Sequence, residues 1–85
     1  MSVLVRYWAS AREAAGTAEE RVDGSTLADV LDAVRHRHAD RERFAEVLGV
    51  CSVLVDGEPA GGRDPAAVAV AEGSEVDLLP PFAGG

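Results

Sequence analysis

The chain contains no lysine: its eight basic side chains are all arginine. A carboxyl group activated anywhere on it finds no lysine amine of its own to acylate. Copies of this chain therefore cannot be joined to one another through lysine. Cysteine is nearly absent too. The single Cys51 has no internal partner for a disulfide, which fits a reducing compartment such as the cytoplasm. Basic excess is missing: the formal net charge is −7. That argues against nucleic acid, whose phosphates require a basic patch, and suits partners with basic surfaces. No apolar run approaches the ~20 residues that span a bilayer, so no membrane role is expected. The N-terminal residues run straight into strand-like sequence, with no signal-peptide pattern. The chain has no phosphate loop, no cysteine cluster of zinc type and no candidate triad, and reads as something other than a self-sufficient enzyme.

What is present fits one small domain of 85 residues with 47% hydrophobic side chains. Val3, Val5 and Tyr7 alternate with Leu4, Arg6 and Trp8, the period-2 pattern of a half-buried strand. The uncharged Val-Val-Tyr face is expected in the core, leaving Leu4 and Trp8 outside with Arg6. Ala11 to Ala15 suggests a helical turn or loop, stopped by Gly16. Residues 18–22 suggest a second strand. Thr26 and Asp29 have capping-box spacing, and Leu27, Val30, Leu31 and Val34 make one apolar stripe. A helix is expected over 26–38, and a second helical piece over 41–48. Residues 50–55 read as a strand with Cys51, Val53 and Val55 on one face. Asp56-Gly57 marks a tight turn, with a short return strand over 58–60. Residues 65–70 read as weakly structured. Residues 76–79 read as the last strand, ended by Pro80 and Pro81.

This order predicts an α+β domain: a small mixed sheet with one main amphipathic helix packed on one face. It is the ubiquitin-like β-grasp. Residues 1–79 form the domain, and 80–85 are expected as a flexible C-terminal Gly-Gly tail. Cys51 reads as a small buried residue rather than a sulfur relay. His36 and His38, two apart on a helix, point in different directions and read as solvated surface, not a metal pair. No metal site and no bound cofactor are expected.

Several stretches together resemble a known family. They are Ala9-Ser10-Ala11-Arg12-Glu13 with Gly16-Thr17, then Ser25-Thr26-Leu27, and Ser52-Val53-Leu54-Val55-Asp56-Gly57. Glu72-Gly73-Ser74-Glu75-Val76 and Leu79-Pro80-Pro81-Phe82-Ala83-Gly84-Gly85 complete the set. The chain resembles the MoaD/ThiS sulfur-carrier family over its whole length, most closely MoaD, the small subunit of molybdopterin synthase. Phe82 stands where valine is common in the family, and Asp56 where many members have asparagine; a tight turn accepts both.

The resemblance implies chemistry at Gly85. A MoeB-type activating enzyme, using ATP and Mg²⁺, would adenylate the Gly85 carboxylate. A sulfur donor protein would displace AMP and leave a thiocarboxylate. A MoaE-type large subunit would then receive the tail. Gly84 and Gly85 lack Cβ, which leaves the reacting carbonyl uncrowded. Pro80 and Pro81 stiffen the exit from the strand, and Phe82 is placed to anchor the tail with Ala83 in a partner pocket. Leu4, Trp8 and Leu79 are expected to form an exposed apolar docking patch beside the root of the tail. Carriers serving thiamine, cysteine or a sulfur-containing secondary metabolite share the tail. So does a ubiquitin-like modifier conjugated to a target lysine.

Overall fold

The computed structural model describes residues 1–81. Five strands form one sheet in the order β2-β1-β5-β3-β4. They are β1 (Ser2–Tyr7), β2 (Glu19–Asp23), β3 (Ser52–Val55), β4 (Glu58–Pro59) and β5 (Glu75–Leu79). The helices are α1 (Ala9–Ala15), α2 (Leu27–Arg37) and α3 (Phe44–Val50). β1 pairs antiparallel with β2 and parallel with β5; β3 pairs antiparallel with both β5 and β4. This is the mixed β-grasp sheet that the sequence pattern predicts.

The alternation along β1 sets the two faces. Val3, Val5 and Tyr7 are buried, with Val76 and Leu78 beside them on β5. The α2 stripe of Leu27, Val30, Leu31 and Val34 joins the same core. Removing each such side chain from water contributes about 1.5–3 kcal/mol. α2 starts at a true capping box. The Asp29 amide donates to the Thr26 hydroxyl, and the Asp29 carboxylate accepts from the Thr26 amide, each at 3.2 Å. Asp56 (φ 50°) and Gly57 (φ 84°) both adopt positive φ, as a two-residue hairpin turn of the primed type requires.

Four expectations need adjustment. Residues 9–15 are a full helix, closed by Gly16 at φ 76°. The second helical piece lies over Phe44–Val50, later than expected. Val50 therefore belongs to α3 and is exposed, and Cys51 caps that helix instead of opening β3. Phe44, Val47 and Leu48 are what hold this helix to the core, and their spacing carries it through Val50. Residues 65–70 are better ordered than expected. A 3₁₀ turn (Pro65–Ala67) leads into buried Val68 and Val70, whose backbones bond Leu27 and Ser25.

The fourth correction concerns His38. It is buried, not solvated. At the C-terminus of α2 its ring packs on Phe44, centroids 4.7 Å apart, and edge-on to Tyr7. Its Nε2–H donates to Glu20 Oε2; an ionised carboxylate can only accept. The Tyr7 hydroxyl donates to the same oxygen at 2.6 Å, and Arg37 to Oε1 at 2.9 Å. His36 remains exposed. Counting positions along one helix does not reveal this, because the partner that draws His38 inward lies on β2.

The cluster makes stability depend on pH. Burial pushes the Glu20 carboxyl up, but the donors His38, Tyr7 and Arg37 outweigh it and hold the group below its ordinary 4.5. Such a carboxylate contributes stability that is present above pH 4.5 and lost as pH falls through the lower folded-state value. Burial, then the adjacent Glu20, push the Tyr7 phenol upward, so its contribution is full below 10.0 and lost as pH rises beyond it. Glu20→Gln should lower stability at pH 7 and flatten the acid limb, read from urea unfolding midpoints across pH 3 to 7.

Candidate functional site

The candidate site is the sheet face opposite the helices, at the end where β5 leaves the sheet. The parallel register places Leu4 beside Glu75 and Arg6 beside Asp77. Trp8 extends this ladder by one step, its amide bonding the Leu78 carbonyl at 3.2 Å. Trp8 thus lies alongside Leu79, the last residue of β5. On the other side of β5, Leu54 lies opposite Asp77 and Ser52 opposite Leu79.

Trp8 is 49% exposed, so this face of β1 does point away from the core. Leu4 and Leu79 are half-buried. The structure brings Trp8 and Leu79 together and sets Leu4 across a charged row. In that row Arg6 Nε donates to Asp77 Oδ1 at 2.9 Å, and Arg6 Nη2 reaches both oxygens of Glu75 at 3.1 and 3.2 Å. Asp77 shares the outer face, as the strand pattern suggests, but its side chain is only 10% exposed. Arg6 and the Trp8 indole cover it, and Trp8 Nε1 donates to Asp77 Oδ1 at 3.0 Å. Sequence reasoning missed this contact. The signal for it is an aspartate two residues back on the neighbouring strand from an exposed tryptophan, legible only once the register is known.

Pro80 is buried and Pro81 exposed, so the chain reaches solvent two residues past the strand. Phe82, Ala83, Gly84 and Gly85, expected to thread into a partner and carry the chemistry, lie outside the described residues. Cys51 is half-buried, and its thiol donates to the Val47 carbonyl at 3.2 Å. Burial pushes that thiol up, away from the reactive thiolate. Among the described residues no group of three His, Cys, Asp or Glu side chains is placed to hold a metal ion, and no helix is long and apolar enough to cross a membrane.

A mixed five-stranded grasp whose central strand leads to Gly-Gly is matched by one family model. The ThiS family model aligns with residues 5–85. The chain belongs to the ThiS family. Among solved structures, this ThiS-family chain is similar to SAMP1 from Haloferax volcanii, at 32% identity over all of both chains and a TM-score of 0.82. It shares its fold with the complex of subunits 1 and 2 of molybdopterin-converting factor from Helicobacter pylori 26695. That match has 24% identity over all of both chains and a TM-score of 0.69. It also shares the fold of the BexX/CysO complex of Amycolatopsis orientalis, at 24% identity, 98% of this chain, 99% of that chain and a TM-score of 0.77. No curated protein matches the chain. Its fold is the ubiquitin-like β-grasp of sulfur carriers and small modifiers.

Trp8 makes its side-chain hydrogen bond on the sheet surface and contributes little to the core. Trp8→Ala should therefore weaken binding to a partner protein while barely moving the melting temperature. A large fall in melting temperature with unchanged binding would show that the ring serves the fold.

Proposed function

We propose that this chain is a sulfur carrier acting in the cytoplasm, with the Gly85 carboxylate as its reacting group. The family match that runs through Gly84 and Gly85 carries this reading. A free carboxylate is a poor electrophile. A MoeB-type enzyme, holding ATP and Mg²⁺, would join it to the α-phosphate and release pyrophosphate. The mixed anhydride then loses AMP to a sulfur donor, and Gly85 ends as a thiocarboxylate.

The role the resemblance favours is the small subunit of molybdopterin synthase, delivering that sulfur inside a MoaE-type large subunit. Likeness in fold to the molybdopterin-converting factor complex supports it. This chain would carry the sulfur and supply a docking face of Trp8, Leu79 and Leu4, while the partners supply the catalytic side chains. The division suits a chain with a single half-buried cysteine.

A second reading is favoured by one observation: the 32% identity to SAMP1, a small archaeal modifier protein. In this reading a target lysine amine attacks the Gly85 carbonyl of the adenylate, the acyl–phosphate bond breaks with release of AMP, and an isopeptide bond forms. Both readings begin with the same adenylate. Because the chain has no lysine, such conjugates would not be extended by lysine-linked addition of a second copy.

Intact-mass analysis of the protein from its native host separates the two. A carrier shows the mass change of one oxygen exchanged for sulfur at the C-terminus; a modifier shows Gly85-linked conjugates and no thiocarboxylate. Deleting Gly85 should abolish sulfur transfer and leave the circular dichroism spectrum unchanged. Sulfur transfer that survives the deletion would overturn the assignment of Gly85.

A further inference from the structure

A carboxylate on the solvent side of a sheet has no need to be buried, and burial is costly unless the group is paired. Asp77 is nevertheless covered, and both covering groups converge on one oxygen. Arg6 Nε and Trp8 Nε1 each donate to Oδ1, at 2.9 and 3.0 Å. The two donors are not equally dependent on it. Arg6 also holds Glu75 through Nη2, so it keeps a carboxylate partner if Asp77 is lost. Among the described residues, Trp8 Nε1 has Asp77 as its one acceptor.

The backbone around Trp8 is held as well. Its amide bonds Leu78, and its carbonyl accepts from Ala11 as α1 begins. Directly after it, Ala9 takes φ 49°, a left-handed conformation that a residue with a Cβ adopts only at a cost. The main chain therefore brings Trp8 to the end of the sheet at a set place. The indole's remaining freedom is rotation about its side-chain bonds, and the bond to Asp77 removes it.

We propose that Asp77 is a positioning residue, which holds the Trp8 indole in one orientation at the root of the tail so that a partner meets a preordered ring. This rests on the reading, given above, that Trp8 belongs to a face that docks a partner protein, and takes the activating enzyme as that partner. Ordering a side chain before association spares that loss during binding; for one large side chain the gain is about 3- to 10-fold in affinity.

The protein has one tryptophan, so its fluorescence reports on this ring alone. Asp77→Ala should lower the steady-state anisotropy of Trp8 and increase its quenching by acrylamide. In adenylation by the host's MoeB-type enzyme, followed by pyrophosphate exchange, it should raise KM for the carrier about 3- to 10-fold with kcat unchanged. Asp77→Asn keeps an oxygen acceptor for Nε1 and should stay close to wild type in both measurements. Should Asp77→Ala prove unfolded by circular dichroism, Asp77→Val keeps a strand-forming shape without an acceptor and takes its place. A folded variant with unchanged anisotropy overturns the proposal. A loosened indole with wild-type KM also overturns it, provided Trp8→Ala raises KM. Wild-type KM in Trp8→Ala instead overturns the docking reading, while the anisotropy still decides whether Asp77 orders the ring.

Discussion

The parallel pairing of β1 with β5 is the constraint on which the rest of the structure depends. It joins residues about seventy positions apart and places both strands at the centre of the sheet. Because side chains alternate along a strand, one register assigns both faces at once. Val5 beside Val76 and Tyr7 beside Leu78 make the floor of the core. Arg6 beside Asp77 makes the outer charged row, and Trp8 is carried to the end of β5. A slip of one residue would put Arg6 under α2 and Val5 in water. The core and the proposed docking face are thus two consequences of one pairing.

Elements whose signals are local were legible in the sequence. The alternation of Val3, Val5 and Tyr7 predicted β1 and its orientation. The stripe from Leu27 to Val34, with Thr26 ahead of it and Asp29 in its first turn, predicted α2 to within a residue at each end. Asp56-Gly57 predicted its turn because two successive positive φ angles suit few other pairs. Elements decided by distant contacts were not legible in the same way. Val50 is β-branched and precedes a strand, but the helix anchored by Phe44 claims it. His38 looks solvated among charged neighbours until β2 brings Glu20 beneath it. Asp77 looks like an ordinary outward residue until Arg6 and Trp8 close over it. In each case the deciding group lies on another element, and periodicity along one segment carries no information about it.

Half-buried Glu20 and buried Asp77 share a logic that sequence inspection does not expose. Glu20 and Asp77 belong to a strongly acidic chain, and most of its other acidic side chains stay in water. Each of these two is taken in by an aromatic hydrogen-bond donor and a cationic side chain together. Glu20 has the Tyr7 hydroxyl with Arg37, and His38 besides; Asp77 has the Trp8 indole with Arg6. The donors Tyr7 and Trp8 are consecutive, one at the end of β1 and the other just beyond it. Alternation sends one ring into the helical layer and the other onto the open face. The same short stretch therefore tethers the core side to β2 and α2, and the outer side to β5. It does so at the edge where β5 leaves the sheet for Pro80 and Pro81. The proposed carrier role calls for that edge to keep its shape, and the consecutive aromatic residues restrain it from both faces.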